Sequence, residues 1–372
     1  MSHLLVTNDF PPKLGGIQSY LWELWRRLDP AGFTVLTTPY DGAADWDAGQ
    51  PFRVERTAEK VLLPTRSLAR RIDDLAERTG ASLVVLDPAL PLGLVGPWLS
   101  RPYGLVLHGA EVTVPGRLPA SRALLARVLR GASEVIAAGG YPAAEGERAA
   151  GRPLPVTVVP PGVDPDRFVP LDDEQRAKAR ALFDLPADGR VVVSLSRLVP
   201  RKGMDVLIEA AARLAPERPD LVVAIGGAGR DRQRLERLVE RTGAPVRLLG
   251  RVPDDDLPAL YGCADVYAMV CRNRWAGLEQ EGFGIVFLEA AACGVPQVAG
   301  ASGGAAEAVE DGETGVVVDA PRDAGAVARA LASLLDDPER RRRMGAAARR
   351  RARSEFGYDV LAGRLAEVLG RW

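Results

Sequence analysis

The stretch Val156–Asp172, VTVVPPGVDPDRFVPLD, divides the chain, with prolines at 160, 161, 165 and 170. Proline removes a backbone donor and fixes φ, so this run suits a linker or domain edge rather than a helix or a central strand. On each side of it the same pattern recurs. Before it, the short apolar runs HLLVTN, FTVLTT, SLVVLD, YGLVLH and SEVIAAG alternate with helical stretches, among them residues 18–28, 67–79 and 121–130. After it come VVVSLSRL, LVVAIGGAG, VRLLG, VYAMV, PQVAG and TGVVVD, again with helices between them. Apolar strands separated by helices read as a parallel sheet covered on both faces. The prediction is an α/β chain with two Rossmann-like domains facing each other across a cleft, residues 1–168 and 169–355. An amphipathic helix in 356–372 is expected to pack back on the first domain.

Bulk composition agrees and narrows the field. At 372 residues the chain is too long for one ordinary core and suits two. Hydrophobic residues are 47% and charged residues 26%, an ordinary globular balance, and the net charge of −1 leaves no footprint for general nucleic-acid binding. No apolar run reaches the ~18 residues that would span a bilayer. The opening MSHLLVTNDFPP lacks the charged start of a signal peptide, so a cytoplasmic protein is expected. Cys263, Cys271 and Cys293 show neither metal spacing nor a disulfide framework. Of the 48 basic residues only four are lysines: Lys13, Lys60, Lys178 and Lys202.

Four groups of residues could carry chemistry. In EGFGIVFLE, Glu281 lies before a helix start and Glu289 just over one turn inside it. Free N–H groups at such a start suit a diphosphate, and the two carboxylates could take hydroxyls at two ends of one ligand. A surface glutamate and an ordinary helical one explain the spacing equally well. In SLSRLVPRKG, Arg197 closes an apolar strand while Lys202 and Gly203 open the next helix. A lysine at a helix start opposes the macrodipole unless an anion is present, which points to phosphate; solvated loop charges are the plain alternative. In LVLHGAE, His108 ends a buried-looking strand. Gly15 and Gly16 precede the first helix, where they allow either a turn or a close backbone approach. No Walker loop or G-x-G-x-x-G fingerprint is present. Asp254–Asp256 read as a helix N-terminus and the run RRRRMGAAARRRAR as an exposed helix face.

Taken together, PPKLGGIQ, PPGVD, S-R-L-x-x-x-K-G and E-x7-E followed by ACGVPQVAGASGG resemble the retaining GT-B glycosyltransferases across nearly the whole chain. VTNDFPPKLGGIQSYL, LHGAEVTVPGRLPASRALLARVLRGASEVIA, SRLVPRKGMDVLIEA and CRNRWAGLEQEGFGIVFLEAAACGVP look, more narrowly, like the actinobacterial phosphatidylinositol mannoside mannosyltransferases. The resemblance implies an acceptor-binding first domain, a nucleotide-sugar-binding second domain, GDP-mannose as the favoured donor and a lipid or glycolipid acceptor. It implies that Arg197 and Lys202 neutralise the departing diphosphate. Glu281 would hold sugar hydroxyls, and Glu289 the ribose. Backbone N–H groups around Phe283, Gly284, Ile285 and Val286 would bind phosphates and sugar. Gly15 and Gly16 would approach the diphosphate, His108 the sugar near its reacting carbon, and Val252 the base. Front-face substitution is the mechanism usually drawn, with no cofactor and no obligatory metal.

Two residues depart from the pattern: Trp275 stands where a small residue is expected, and Gln297 interrupts an apolar run. A lipid acceptor needs a docking surface. Residues 101–130 carry five arginines (Arg101, Arg117, Arg122, Arg127, Arg130) against Glu111 alone, and Leu124, Leu125, Val128 and Leu129 supply apolar area. A basic amphipathic helix of this kind suits peripheral contact with the inner face of a plasma membrane, although the same leucines could equally pack inward. The competing readings are a related transferase with a soluble acceptor, a nucleotide-sugar epimerase of the same architecture, and a periplasmic sugar-binding protein. The last is disfavoured by the set Arg197, Lys202, Glu281 and Glu289.

Overall fold

The computed structural model describes residues 2–372. They form two compact units, Met1–Pro161 with Tyr358–Trp372, and Gly162–Gly357.

The first unit is built on seven parallel strands: β1 (Ser2–Thr7), β2 (Phe33–Thr37), β3 (Arg53–Arg56), β4 (Ala81–Asp87), β5 (Tyr103–Leu107), β6 (Glu134–Ala137) and β7 (Val156–Val158). Their order is β3-β2-β1-β4-β5-β6-β7. In β1, Leu4 pairs with Thr34 of β2 on one side and Val84 of β4 on the other. Alternate side chains enter different cores. Leu4, Val6, Val84 and Leu86 join one cluster, whereas Leu5, Leu83 and Val85 join the other. That is the two-faced burial which makes central parallel strands apolar throughout. The edge strands β3 and β7 escape that rule and have no counterpart among the predicted strands. RVER in β3 has three charged residues because an edge strand keeps part of its surface in water. β7 is only three residues long and starts the Pro-rich stretch.

The C-terminal helix Tyr358–Leu369 belongs to this unit. Leu361, Leu365 and Leu369 share a core with Tyr20, Leu24 and Trp25 of the first helix, Gly16–Trp25. Arg27 donates to Asp359 at 2.7 Å, with its guanidinium 5.1 Å over the Tyr358 ring. In the helix Pro119–Gly131 most of the apolar residues considered for a membrane face pack inward. Leu125, Val128 and Leu129 are buried in the core, and of the four apolar residues only Leu124 faces out, 49% exposed.

The second unit has six parallel strands: β8 (Arg190–Leu195), β9 (Leu221–Gly226), β10 (Val246–Gly250), β11 (Val266–Met269), β12 (Gln297–Gly300) and β13 (Gly315–Val318), ordered β10-β9-β8-β11-β12-β13. A single apolar cluster fills it. The Arg-rich helix Pro338–Phe356 buries Met344, Ala348, Ala352 and Phe356; Arg342, Arg343, Arg350 and Arg353 are exposed, and its other four arginines are half-buried. Asp254–Asp256 form a short 3-10 turn before the helix Leu257–Gly262. In both sheets the strand order reverses beside the first strand, between β1 and β4 and between β8 and β11. Loops leaving such a switch point diverge and open a crevice beyond the carboxyl ends of the strands. No helix among the described residues is long and apolar enough to cross a membrane.

Candidate functional site

The loops that flank the switch point of the second unit follow β8 and β11, and they carry Arg197, Lys202 and Glu281. Pro200–Lys202 form one 3-10 turn that ends at Gly203. Gly203 has φ of +73°, and a Cβ there would meet the Val270 carbonyl oxygen at 2.1 Å. Only glycine fits, and it presses the two loops together. Lys202 Nζ then reaches Glu281 Oε2 at 2.8 Å and Arg201 Nη1 reaches the same oxygen at 2.6 Å. Cys271 Sγ donates to that oxygen as well, at 3.6 Å. Glu281 is 6% exposed, and every partner of its carboxylate is on Oε2, which leaves Oε1 without a partner among the described residues. Its backbone N–H donates to Ser302 Oγ at 3.2 Å. Burial pushes the Glu281 carboxyl up, but Lys202 and Arg201 outweigh it and hold the group below the usual range. Burial, with Glu281 close by, pushes the Cys271 thiol far up, so it stays a neutral donor.

Arg197 and Lys202, grouped by sequence as equivalent cations, differ in structure. Lys202 is buried and ion-paired. Arg197 is exposed just past β8, and its side chain has no hydrogen bond or ion pair among the described residues. Glu289 lies in the second turn of the helix Ile285–Ala292 and accepts from the Tyr261 hydroxyl at 2.6 Å. Burial raises its carboxyl above the usual range, and the Tyr261 hydrogen bond and Arg167 only partly oppose this. That helix begins at Gly284, φ +92°, with no side-chain cap. The N–H groups of its first turn therefore have no capping side chain. Phe283 is buried, whereas Ile285 and Val286 are half-buried. Val252, past β10, packs over Gly226 at the end of β9.

Trp275 occupies a left-handed turn, φ +48°; the residue is 62% exposed, with the Arg274 guanidinium 4.7 Å above its ring. That conformation costs an L-residue about 1–2 kcal/mol, which glycine alone avoids. Gln297 is fully buried on β12; its amide nitrogen donates to the Val295 carbonyl and its oxygen has no partner among the described residues.

In the first unit, the loop after β1 is fastened by Asp9. Its Oδ1 accepts from Lys13 Nζ at 2.9 Å and from Gln18 Nε2 at 2.6 Å. Gln18 is thereby folded over Gly15, where a Cβ would approach its Oε1 to 2.2 Å. A Cβ on Gly16 would meet nothing within 4 Å, so internal packing does not demand that glycine. His108, past β5, bonds through Nε2 to Asp87 Oδ1 at 2.7 Å. Glu111 Oε1 accepts the backbone N–H of His108 at 2.6 Å and of Gly109 at 3.1 Å. His3 is structural: it accepts from Trp25 Nε1 at 2.9 Å.

Arg201, Cys271, Tyr261, Asp87 and Asp9 were not singled out from sequence. Arg201 and Asp9 lie inside the quoted motifs, and Asp87 ends an apolar strand as His108 nearly does, so those signals were present. Nothing in the sequence marks Cys271 or Tyr261, whose partners are 10 and 28 residues away. A separate cavity of about 590 Å³ lies at the amino ends of the second sheet. Its Arg176, Arg180 and Arg190 are paired with Asp265 or Asp220, and it is remote from these loops. No group of three or more metal-ligating side chains occurs among the described residues.

Residues 175–351 match the family described as glycosyl transferases group 1, and residues 14–167 match glycosyltransferase family 4. A GDP-mannose-dependent alpha-(1-6)-phosphatidylinositol monomannoside mannosyltransferase of Mycolicibacterium smegmatis is 42% identical over 98% of this chain and 97% of its own. The chain belongs to the GT-B glycosyltransferases. The enzyme of the same name from Mycobacterium tuberculosis is 40% identical to this glycosyltransferase over the same shares. Among solved structures, Anabaena HepE in complex with UDP superposes with a TM-score of 0.84 at 23% identity, all of both chains being covered, which supports the fold.

Proposed function

We propose that this glycosyltransferase moves mannose from GDP-mannose to a phosphatidylinositol mannoside with retention of configuration. The observation that carries the reading is the near-full-length similarity to two enzymes named for that reaction, joined to a buried Glu281 whose Oε1 is left free. In this reading Oε1 accepts sugar hydroxyls, and Arg197 meets the diphosphate as its charge grows. Lys202 serves chiefly to set Glu281. Glu289 takes the ribose, Val252 lies by the base, and the N–H groups from Phe283 to Val286 bind phosphate and sugar. Gly15 and Gly16 let backbone approach the diphosphate, and His108 contacts the sugar. The bond from the anomeric carbon to the diphosphate oxygen breaks with its electron pair leaving on that oxygen. The acceptor hydroxyl bonds to the same face, and its proton passes to the departing phosphate. Positioning and electrostatics suffice for such a step.

A chain with this chemistry works against a lipid surface at the inner leaflet. Val114 of the helix Ala110–Arg117, Leu124 of the helix Pro119–Gly131 and Leu118 between them are exposed, beside exposed Arg122 and Arg127. Basic residues near an anionic leaflet contribute about 1 kcal/mol each. Incubation with GDP-mannose and phosphatidylinositol monomannoside, in EDTA, is expected to give a retained mannolipid. UDP- or GDP-sugars with inositol phosphates or disaccharides are expected to give none. Transfer only to a soluble acceptor, with no salt-sensitive binding to phosphatidylinositol vesicles, overturns the lipid acceptor.

A further inference from the structure

We propose that Asp87 is a positioning residue for the transfer: it holds the His108 ring through Nε2 as a cation, so that Nδ1–H is presented as a donor to an oxygen of the sugar nucleotide. The proposal rests on the reading of His108 as a donor-sugar contact.

Asp87 ends β4 at the switch point and is fully buried. Its Oδ2 accepts from the Thr7 hydroxyl at 2.7 Å and its Oδ1 is 2.7 Å from His108 Nε2. No lysine or arginine among the described residues bonds to it. A buried carboxylate without a counter-charge is costly, and the imidazole is the group in reach that can supply one. The other groups facing the ring have the same sign or none. Glu111, from the helix Ala110–Arg117, lies against the His108 backbone N–H at 2.6 Å. Asp9, from the loop after β1, adds negative potential and is itself paired with Lys13 at 2.9 Å. Tyr20, from the first helix, meets the ring edge-on, with centroids 5.3 Å apart, while its hydroxyl donates to the Val159 carbonyl. Burial opposes a charged ring, but Asp87, Glu111 and Asp9 outweigh it, and His108 is held above the ordinary value of 6.5. Asp87 and Tyr20 leave the ring little freedom to turn. Nδ1 is the nitrogen without a partner among the described residues, and the ring is partly open to solvent, at 11%. A cation aimed by a buried acid is suited to a diphosphate oxygen of the sugar nucleotide, which gains negative charge as its bond to the anomeric carbon breaks.

The chain has two histidines, which makes the test direct. Burial pushes His3 down to about 4, so it stays neutral where His108 titrates. Long-range ¹H–¹⁵N spectra of the intact protein are expected to show two protonated ring nitrogens on His108 at pH 6.5, with a midpoint above that pH. In Asp87→Asn the midpoint falls and Nδ1–H is lost at neutral pH. kcat/KM at pH 7 drops about tenfold to a hundredfold, the worth of one charge-assisted hydrogen bond. In a His108→Gln background the same substitution is expected to cost less than about threefold, because the effect acts through the ring. A neutral His108 ring in the wild type at pH 6.5 overturns the proposal, and this spectrum stands even if Asp87→Asn does not fold. An unmoved midpoint in Asp87→Asn, or an equal loss of kcat/KM in both backgrounds, overturns it too. The spectra need no donor, so an error in the proposed substrates leaves their outcome intact.

Discussion

Glu281 and Glu289 stand eight positions apart in one segment, and the fold treats them in opposite ways. The loop carboxylate is held by two cations and a thiol, all on one oxygen. The helical one has a single neutral partner, Tyr261. Glu281 is accordingly held below the usual carboxyl range and Glu289 above it. Similar residues at a regular spacing thus become an anchored anion and a carboxyl that resists ionisation. Environments that push two acids apart are how one site assigns them different tasks. In Glu281 the anchoring leaves one oxygen rigidly aimed. In Glu289 the weaker hold leaves the group responsive to a ligand that brings its own hydroxyls.

The largest effect that tests this contrast is at Glu281. Glu281→Ala leaves Lys202 buried without its anion and half-buried Arg201 with only the longer ion pair to Glu279 at 3.9 Å, and breaking such a buried pair costs about 3–5 kcal/mol. Chemical denaturation is expected to show that loss together with the loss of turnover. A destabilisation under about 1 kcal/mol would mean that the two cations relax into water, and the anchoring argument would fail.

Next come the two cations grouped by sequence. Removal of a group that meets developing charge costs about 2.7–4 kcal/mol, or 10²–10³-fold in rate. Arg197→Ala is expected to lose that much turnover with an unchanged melting temperature, because the side chain is exposed and unpaired. Lys202→Ala is expected to lose turnover and stability together, since it exposes the pairing of Glu281. Equal melting temperatures for the two variants would return them to the equivalence that sequence suggested.

Local sequence carries some of these features and not others. Central strands such as SLVVLD announced themselves because both faces are buried, while RVER and VTV, at the edges, carry no such constraint. Glu281 and Lys202 were each noticed, but as members of separate motifs. Their pairing spans 79 positions and depends on the contact of Gly203 with Val270, which no local pattern encodes. The apolar face of residues 121–130 was recognised, yet amphipathicity does not say whether water, lipid or core lies against it. Here the core takes Leu125, Val128 and Leu129. Asp87 passed unremarked because one acid at the end of an apolar strand has no meaning until its neighbour is known.

Gln297 supplies a control for both glutamates: a buried polar side chain in the same unit, with its oxygen unpartnered and no ligand role proposed for it. A buried unsatisfied group costs about 1–3 kcal/mol. Gln297→Val keeps the volume and suits β12, so it is expected to raise stability by about 1 kcal/mol without changing kcat/KM. A loss of stability would mean that the amide is satisfied in solution, and that burial of a polar group in this unit is less costly than the Glu289 argument requires.

The smallest effect is the most discriminating. The folded carboxyl of Glu289 is raised above 4.5 by burial, so the native state binds its proton more tightly than the unfolded chain does. Its contribution to stability is therefore full below the unfolded value and is lost as pH rises through the folded one. Glu281 runs the other way: its paired form stabilises above the unfolded value, and that stability is lost as pH falls through the lowered one. Glutamine cannot ionise, so Glu289→Gln removes a cost that exists only at higher pH. Because Glu289 is partly open to water, the gain is screened and stays under about 1 kcal/mol. Glu289→Gln is expected to be slightly more stable than the wild type at pH 8 and no more stable at pH 4. Its affinity for the sugar nucleotide should be lower at pH 8, since the amide offers one accepting oxygen where a carboxylate offers two. Denaturation at the two pH values, paired with donor titration, measures both. If the variant is instead less stable at pH 8 than at pH 4, relative to the wild type, then Glu289 is a stabilised anion like Glu281, and the division of labour between the two carboxylates does not exist.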